Sequence, residues 1–406
     1  MTGKGGANRP DASGRTLTTE SGLRWPAGCG VVANRAGGST VEPGADSEVF
    51  MAALMLYLIG ARSAGKTAVF DALIQTPEGP HFATKGAHRL GTVKVPDARL
   101  AALRDLFQPK KYIPAEVTFV DVALPGGGEG SGFGPLNAFL GEADAFALVV
   151  QSFGEMDGAG QPLDPAGQLD SVLLDLAMAD LEKIERRMEK IEQEVQRGLK
   201  QSLPELDVLR KCKAAIDEGR ALRDLELTAE EARRVSSFCF LSQKRLLVVA
   251  NTGDDDPLGA KCEPLRAACA EKGLDLLAFC APLEAEIAAL PPDDQAGFLA
   301  DYGLSEPART RLIQAAYRTL DLISFFTVGP DEVRAWTIRR GDSAVTAAGK
   351  IHTDLARGFI RAETVDSKTL IEKQTLAACR EAGVLRLEGK GYVVQDGDVI
   401  EIRANA

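Results

Sequence analysis

Residues Gly60–Thr67 read GARSAGKT, the G-x-x-x-x-G-K-[ST] pattern whose spacing suits a nucleoside triphosphate. Gly60 and Gly65 let the backbone fold tightly and turn its N–H groups toward an anion. An apolar run, MLYLI, precedes the loop and a helix-forming run, AVFDALIQ, follows it. The loop therefore opens a helix, whose dipole favours negative charge at that end. Lys66 is expected at the β and γ phosphates, and Thr67 is expected to ligate Mg²⁺ through its hydroxyl. The plain alternative is a glycine-rich turn with an exposed lysine, and the strand and helix on either side weigh against it.

Three further places supply the remaining parts of such a site. Asp121 closes the apolar run VTFVD, where a carboxylate behind the metal belongs; an aspartate there equally serves as a turn or helix cap. Thr84 lies in a polar stretch between the first helix and the next strand, and is expected to be a mobile hydroxyl that reaches Mg²⁺ when triphosphate is bound. Asn251 and Asp254, in VVANTGDDD, sit where a base-recognition loop belongs, or else form a polar turn.

These residues need an α/β scaffold, and the chain offers one. β-rich runs at Met55–Ile59, Glu116–Val122, Ala145–Val150, Leu246–Ala250 and Leu274–Phe279 alternate with helical stretches such as Ala98–Phe107 and Leu283–Leu290. That alternation predicts a mostly parallel sheet. Over residues 165–235 it stops. Leu174, Leu181, Ile184, Met188, Ile191 and Val195 then follow a seven-residue period among charged residues, and Leu209, Cys212 and Ile216 form a second series after Pro204. A coiled-coil hairpin projecting from the domain fits that period. Thr228 and Glu231 form a capping-box pattern for a further helix. Residues 1–53 are rich in Gly, Ser, Thr and Pro without apolar periodicity and are expected to be disordered. The resulting division is 1–53, a nucleotide-binding domain over 54–320 interrupted at 165–235, and a small α+β unit over 321–406, in which Asp396-Gly397 signals a hairpin.

Composition excludes several other classes. At 406 residues the chain exceeds one ordinary domain. Its formal charge of −11 opposes sequence-independent binding to nucleic acid, and no feature points to sequence-specific DNA binding. The seven cysteines are scattered without a CxxC pair, which fits a reducing cytoplasm. Only His81, His88 and His352 are available, too few for a histidine-rich metal site. No apolar run approaches the roughly 20 residues of a membrane span.

The segments EVRAWTIRRGDSAVTAAGKIHTDLARGFIRAETV and EGKGYVVQDGDVIEIRANA, together with VPDARLAAL, AEVTFVDVA, AMADLEKIERR, CAPLEAEIAAL and SEPARTRLIQAAY, resemble the Obg-like ATPase family, the YchF branch of the P-loop proteins. The resemblance runs from Met55 to Ala406. It implies a Ras-like G domain, an inserted coiled-coil arm and a C-terminal TGS-type (β-grasp-like) domain. It also implies Mg²⁺-dependent hydrolysis of ATP in preference to GTP, association with ribosomes and a cytoplasmic location. By the same resemblance Gly60, Ser63, Ala64, Gly65, Lys66, Thr67 and Ala68 face the phosphates and metal. Thr84 is its first-switch threonine, Asn251, Thr252 and Asp254 form its first base loop, and Cys280 and Ala281 form its second.

The departures concern hydrolysis more than binding. Where the family reads DIAGL, Asp121 is followed by Val122, Ala123, Leu124 and Pro125, so the glycine whose N–H meets the γ-phosphate is missing. No glutamine is present to orient water. The family's histidine after the stretch matching VVQSFGEMD is also absent, because no histidine occurs between His88 and His352. Three readings follow: a slow ATPase or GTPase that regulates on the ribosome, a nucleotide-responsive binding module with little turnover, or, ranked last because Lys66 and Thr67 are intact, a vestigial P-loop with the TGS-type domain alone binding RNA or the ribosome.

Overall fold

Five apolar runs that read as strands become neighbours in one sheet. A computed structural model describes residues 54–75, 82–85, 88–123 and 136–405. The N-terminal stretch expected to be disordered, and Leu124 and Pro125 of the altered switch, lie outside the described residues. In the nucleotide-binding part the order is β1 (Met55–Ile59), α1 (Lys66–Ile74), β2 (Ala83–Lys85), β3 (His88–Lys94), α2 (Ala98–Phe107), β4 (Lys111–Ile113), β5 (Glu116–Asp121), α3 (Asn137–Gly141) and β6 (Ala145–Ser152). There follow α4 (Pro165–Gln196), α5 (Leu203–Asp217), α6 (Ala229–Val235), β7 (Arg245–Thr252), α7 (Glu263–Glu271), β8 (Asp275–Phe279), α8 (Ala281–Ala289), α9 (Pro292–Asp301) and α10 (Ala308–Thr319). The sheet order is β2-β3-β5-β1-β6-β7-β8. It is parallel except where β3 runs antiparallel to β5 and β2 to β3.

Alternation along the buried strands separates two cores. Leu56, Leu58, Phe119 and Val149 pack on the face that carries α1 and α10, whereas Tyr57, Ile59, Val120, Phe146 and Val150 pack on the other with the first half of α4. Gly91 on β3 is required by this packing, since a Cβ there would lie 2.2 Å from Ile74 Cγ2 and 3.1 Å from the Phe70 ring.

The 32-residue α4, roughly 48 Å long, divides its length between two partners. Leu169, Val172 and Leu176 cover the sheet, while Ile184, Met188, Ile191 and Val195 meet Leu206, Leu209, Cys212 and Ile216 of α5 in a separate core. The seven-residue seam is thus shorter than the sequence implies. Leu174 is 61% exposed, because the first half of the helix turns a different stripe toward the sheet. The capping box at Thr228 and Glu231 is formed in both directions.

The C-terminal part contains β9 (Leu322–Val328), β10 (Glu332–Arg339), α11 (Ala344–Ile351), α12 (Thr353–Arg357), β11 (Phe359–Asp366), α13 (Ser367–Lys373), α14 (Leu376–Glu381), β12 (Arg386–Glu388) and β13 (Asp398–Ala404). Its sheet order is β12-β11-β13-β9-β10-β4. The last strand comes from the other part of the chain: β4 pairs in parallel with β10. The hairpin expected around Asp396-Gly397 is not formed. Val393 makes only an isolated bridge to Ser343, and β13 pairs with β11 and β9 instead. Asp396 is drawn into other bonds, accepting from Ser324 N at 3.0 Å and from the Arg99 guanidinium.

Candidate nucleotide site

The loop between β1 and α1 has the backbone that its glycines require. Gly60 adopts φ 145° and Gly65 φ 87°, and a Cβ on Gly60 would lie 2.2 Å from Val149 O. Ser63 also takes a left-handed φ of 64°, which costs a residue with a Cβ about 1–2 kcal/mol. Strain of this kind collects at ligand sites. The first intrahelical bond of α1 runs from Val69 N to Gly65 O at 3.0 Å. The amides of Lys66, Thr67 and Ala68 therefore have no acceptor within the helix and point out of its N-terminus.

Lys66 is held rather than loose. Its Nζ donates to Gly60 O at 3.1 Å and to Ala61 O at 2.8 Å, using two of the three donors of an ammonium group and leaving one for an anion. Burial is the larger influence on this amine and lowers its pKa, while Asp121 acts against it. A buried ammonium of this kind gains from a phosphate partner.

Thr67 and Asp121 lie in hydrogen-bond contact. Thr67 Oγ1 donates to Asp121 Oδ2 at 3.0 Å, so the hydroxyl proton is occupied and the oxygen lone pairs are open to a cation. These two residues fit Mg²⁺. Among the described residues no group of three or more His, Cys, Asp or Glu could hold a metal alone.

Thr84 is not brought into this corner. It sits in β2 directly across from Arg89, which sits directly across from Asp121. The three form one row on one face of the sheet, with Arg89 in the middle. Adjacent strands lie about 4.8 Å apart, so Thr84 is two strands from the carboxylate. Arg89 escaped the sequence reading because its strand, HRLGTVK, has neither an apolar run nor clean alternation.

At the carboxyl ends of β7 and β8 the base-loop residues do assemble. Asn251 Nδ2 donates to Ala64 O at 3.0 Å, and the Cys280 thiol donates to Asp254 Oδ1 at 3.4 Å. Cys280 caps α8 and Ala281 opens it. Burial pushes the Cys280 thiol up to about 11, so it stays a neutral donor. Asn251 Oδ1 is buried with no partner. Thr252 leaves the cluster. Alternation along β7 turns its side chain to the opposite face, where it is 1% exposed and its hydroxyl has no partner.

One flank was not foreseen. Residues 153–162 fold over the phosphate loop, pinned by Gln151 Nε2 on Phe153 O and Met156 O and by Asp157 Oδ1, which accepts from Ala159 N and Gln161 N. Gly158 comes so close that a Cβ on it would lie 2.8 Å from Ser63 Cβ. Glycine here is legible only once the two loops are seen together.

The fold and site together define a P-loop nucleotide-binding protein of the Ras-like kind, carrying a helical insertion and a C-terminal α+β unit. Comparison with known proteins narrows this class. The family model YchF-GTPase_C, described as a protein of unknown function (DUF933), matches residues 322–405. The chain is 36% identical over 367 residues to a ribosome-binding ATPase YchF of Bacillus subtilis (strain 168), covering 87% of this chain and all of that one. It is equally identical over 364 residues to the protein of that name from Escherichia coli O157:H7, covering 86% and 98%. The solved YchF GTPase of Schizosaccharomyces pombe superposes with a TM-score of 0.76 at 26% identity, covering 86% of this chain and 97% of that one. The chain belongs to the YchF family of P-loop ATPases and GTPases.

Proposed function

We propose that this protein binds ATP, or GTP less well, with Mg²⁺ at the loop Gly60–Ala68, hydrolyses it slowly, and acts on the ribosome in the cytoplasm. The observation that carries the reading is the corner formed by Lys66, Thr67 and Asp121: a fixed ammonium with a donor to spare, beside a hydroxyl whose proton a carboxylate holds. Bound Mg²⁺ would neutralise charge on the transferred phosphoryl group. Thr67 would ligate it, and Asp121 would orient that hydroxyl. Adenine is favoured by the resemblance; at Asn251, Nδ2 keeps a second hydrogen for a base beside its bond to Ala64 O, while Oδ1 is buried without a partner. Asp254 suits guanine N–H groups in the same place, so discrimination is modest. The ribosome reading rests on what the relatives are named, and the location follows it; no described helix is long and apolar enough to cross a membrane. We divide the chain functionally at 54–320 and 321–406, with 165–235 as the helical arm and the C-terminal unit as TGS-type.

Calorimetry with Mg·ATP and Mg·GTP tests the first claim. Lys66→Ala should remove most triphosphate binding, and unchanged affinity would end the assignment. A preference for GTP beyond roughly tenfold, about 1.4 kcal/mol, would overturn the choice of base. Co-sedimentation with purified ribosomes tests the partner.

The second reading, a binding module with little turnover, is favoured by the flank over the phosphate loop. Gly158 lies against Ser63 there and brings no side chain to position water. Single-turnover hydrolysis separates the readings. A rate on the order of 10⁻³ s⁻¹ or less is expected from the protein alone, and a rate near 1 s⁻¹ that Lys66→Ala abolishes would reveal a catalytic group elsewhere.

A further inference from the structure

Arg89 stands in the place where the nucleotide site gathers positive charge, yet it belongs to none of the parts described above. Its Nε and Nη2 donate to Asp121 Oδ2 at 3.2 and 2.8 Å, and Nη1 donates to Asp71 Oδ1 at 2.8 Å. Thr67 Oγ1 is on that same Oδ2. A carboxylate has about four acceptor positions over two oxygens, so three donors crowd Oδ2 beyond its share and a metal's water shell would have to turn to Oδ1. The guanidinium also lies 4.7 Å from the centre of the Phe70 ring and 5.4 Å from that of Phe82, which fixes its plane.

We infer that Arg89 is a tethered cation that competes with Mg²⁺ for Asp121 and so sets the metal requirement of nucleotide binding. The inference rests on the nucleotide reading proposed above. A second cation entering beside Thr67 meets the guanidinium charge at short range, where repulsion is strong. The arginine has somewhere to go. Asp71 lies one helical turn beyond Thr67 on the same face of α1 and is 52% exposed, against 9% for Asp121. Two arrangements follow: the guanidinium shared between both carboxylates, or carried on Asp71 alone with Asp121 released to the metal. Arg89 is a positioning residue, acting on the metal site through Asp121.

Opposite shifts from two substitutions test this. The fluorescent N-methylanthraniloyl analogues of ATP and GTP are bound to the full chain, and Mg²⁺ is titrated to find the midpoint of the metal-dependent signal. Arg89→Gln should lower the midpoint by roughly tenfold, since it removes a full charge from beside the metal, and should weaken binding in EDTA. Arg89→Lys, which keeps the charge but not the fork, should restore part of the wild-type midpoint. Asp71→Asn takes away the alternative anchor and should raise the midpoint. Thermal unfolding of each variant monitors the fold, and a merely structural role would move the midpoints of Arg89→Gln and Asp71→Asn in the same direction. Midpoints unchanged within twofold, or shifted together, overturn the competition. Failure of the wild-type protein to bind either analogue, with or without Mg²⁺, overturns the nucleotide reading itself and the inference with it.

Discussion

Thr67 and His88 show how single atoms decide what the site tolerates. With its proton committed to Asp121, the Thr67 hydroxyl has only lone pairs left to offer, so on the proposed reading Thr67→Ala should weaken nucleotide binding in Mg²⁺ and change it little in EDTA; equal losses in both would refute the assignment. His88 lies on the other face of the sheet. Its Nδ1 accepts from Ala123 N at 3.1 Å, and its ring stacks on Phe139 with centroids 3.8 Å apart. Burial, the largest influence, holds its pKa below the ordinary 6.5; Asp121 pulls the other way and Lys85 adds to the lowering. The neutral ring is thus the folded form. Its stabilising contribution is complete above pH 6.5 and is lost as pH falls through the depressed folded value, because the unfolded chain takes up the proton first. His88→Gln should therefore flatten the loss of melting temperature on acidification, and an imidazole that titrates by NMR above 6.5 would contradict the geometry. The phosphate-loop residues were legible in the sequence because their spacing is local. Arg89 was not, because its role depends on strand register across β3 and β5, which no local pattern records.

At the scale of elements, α4 joins two cores, and its midpoint is tied down by a buried carboxylate. Asp180 has no exposed surface and accepts from Leu241 N, Ser242 N and Ser242 Oγ at 2.7–2.8 Å. Burial raises its pKa, and those hydrogen bonds with Lys183 oppose the rise. Asp180→Ala would strand two amides in the interior and should destabilise the protein by about 3 kcal/mol, measured by urea unfolding. Ile191→Ala should cost about 2–4 kcal/mol by opening a cavity between α4 and α5, whereas Leu174→Ala should stay within about 0.5 kcal/mol. Comparable losses at both positions would restore the longer seam. Periodicity announced the hairpin correctly but could not say where the partner of α4 changes from sheet to helix, since both partners accept a stripe of leucine and isoleucine.

Across the whole molecule the two sheets share one hydrophobic core, in which Leu56, Phe119 and Val149 join Leu312 and Ile313 of α10 and Phe326, Val333, Val365 and Val399 of the C-terminal part, and polar contacts around α2 add to it. Arg99 donates to Asp97 through Nε and Nη2 and to Asp396 through Nη1 and Nη2, and it lies over the Phe326 ring at 5.4 Å. Its pKa is raised, most of all by Asp97. Asp396→Ala removes this link and the acceptor of Ser324 N together, and should loosen the C-terminal unit before the nucleotide-binding sheet melts, giving earlier protease cleavage near the junction. The larger consequence belongs to β4. Because Lys111–Ile113 completes the edge of the C-terminal sheet, the boundary in sequence is not a boundary in hydrogen bonding. A fragment made of residues 321–406 alone would present the bare backbone of β10 to solvent, a template for pairing with further copies. It should self-associate, while the same fragment co-expressed with residues 54–320 should be recovered as a soluble two-piece complex. On that outcome the molecule is one that can be cut at the junction and still find its other half.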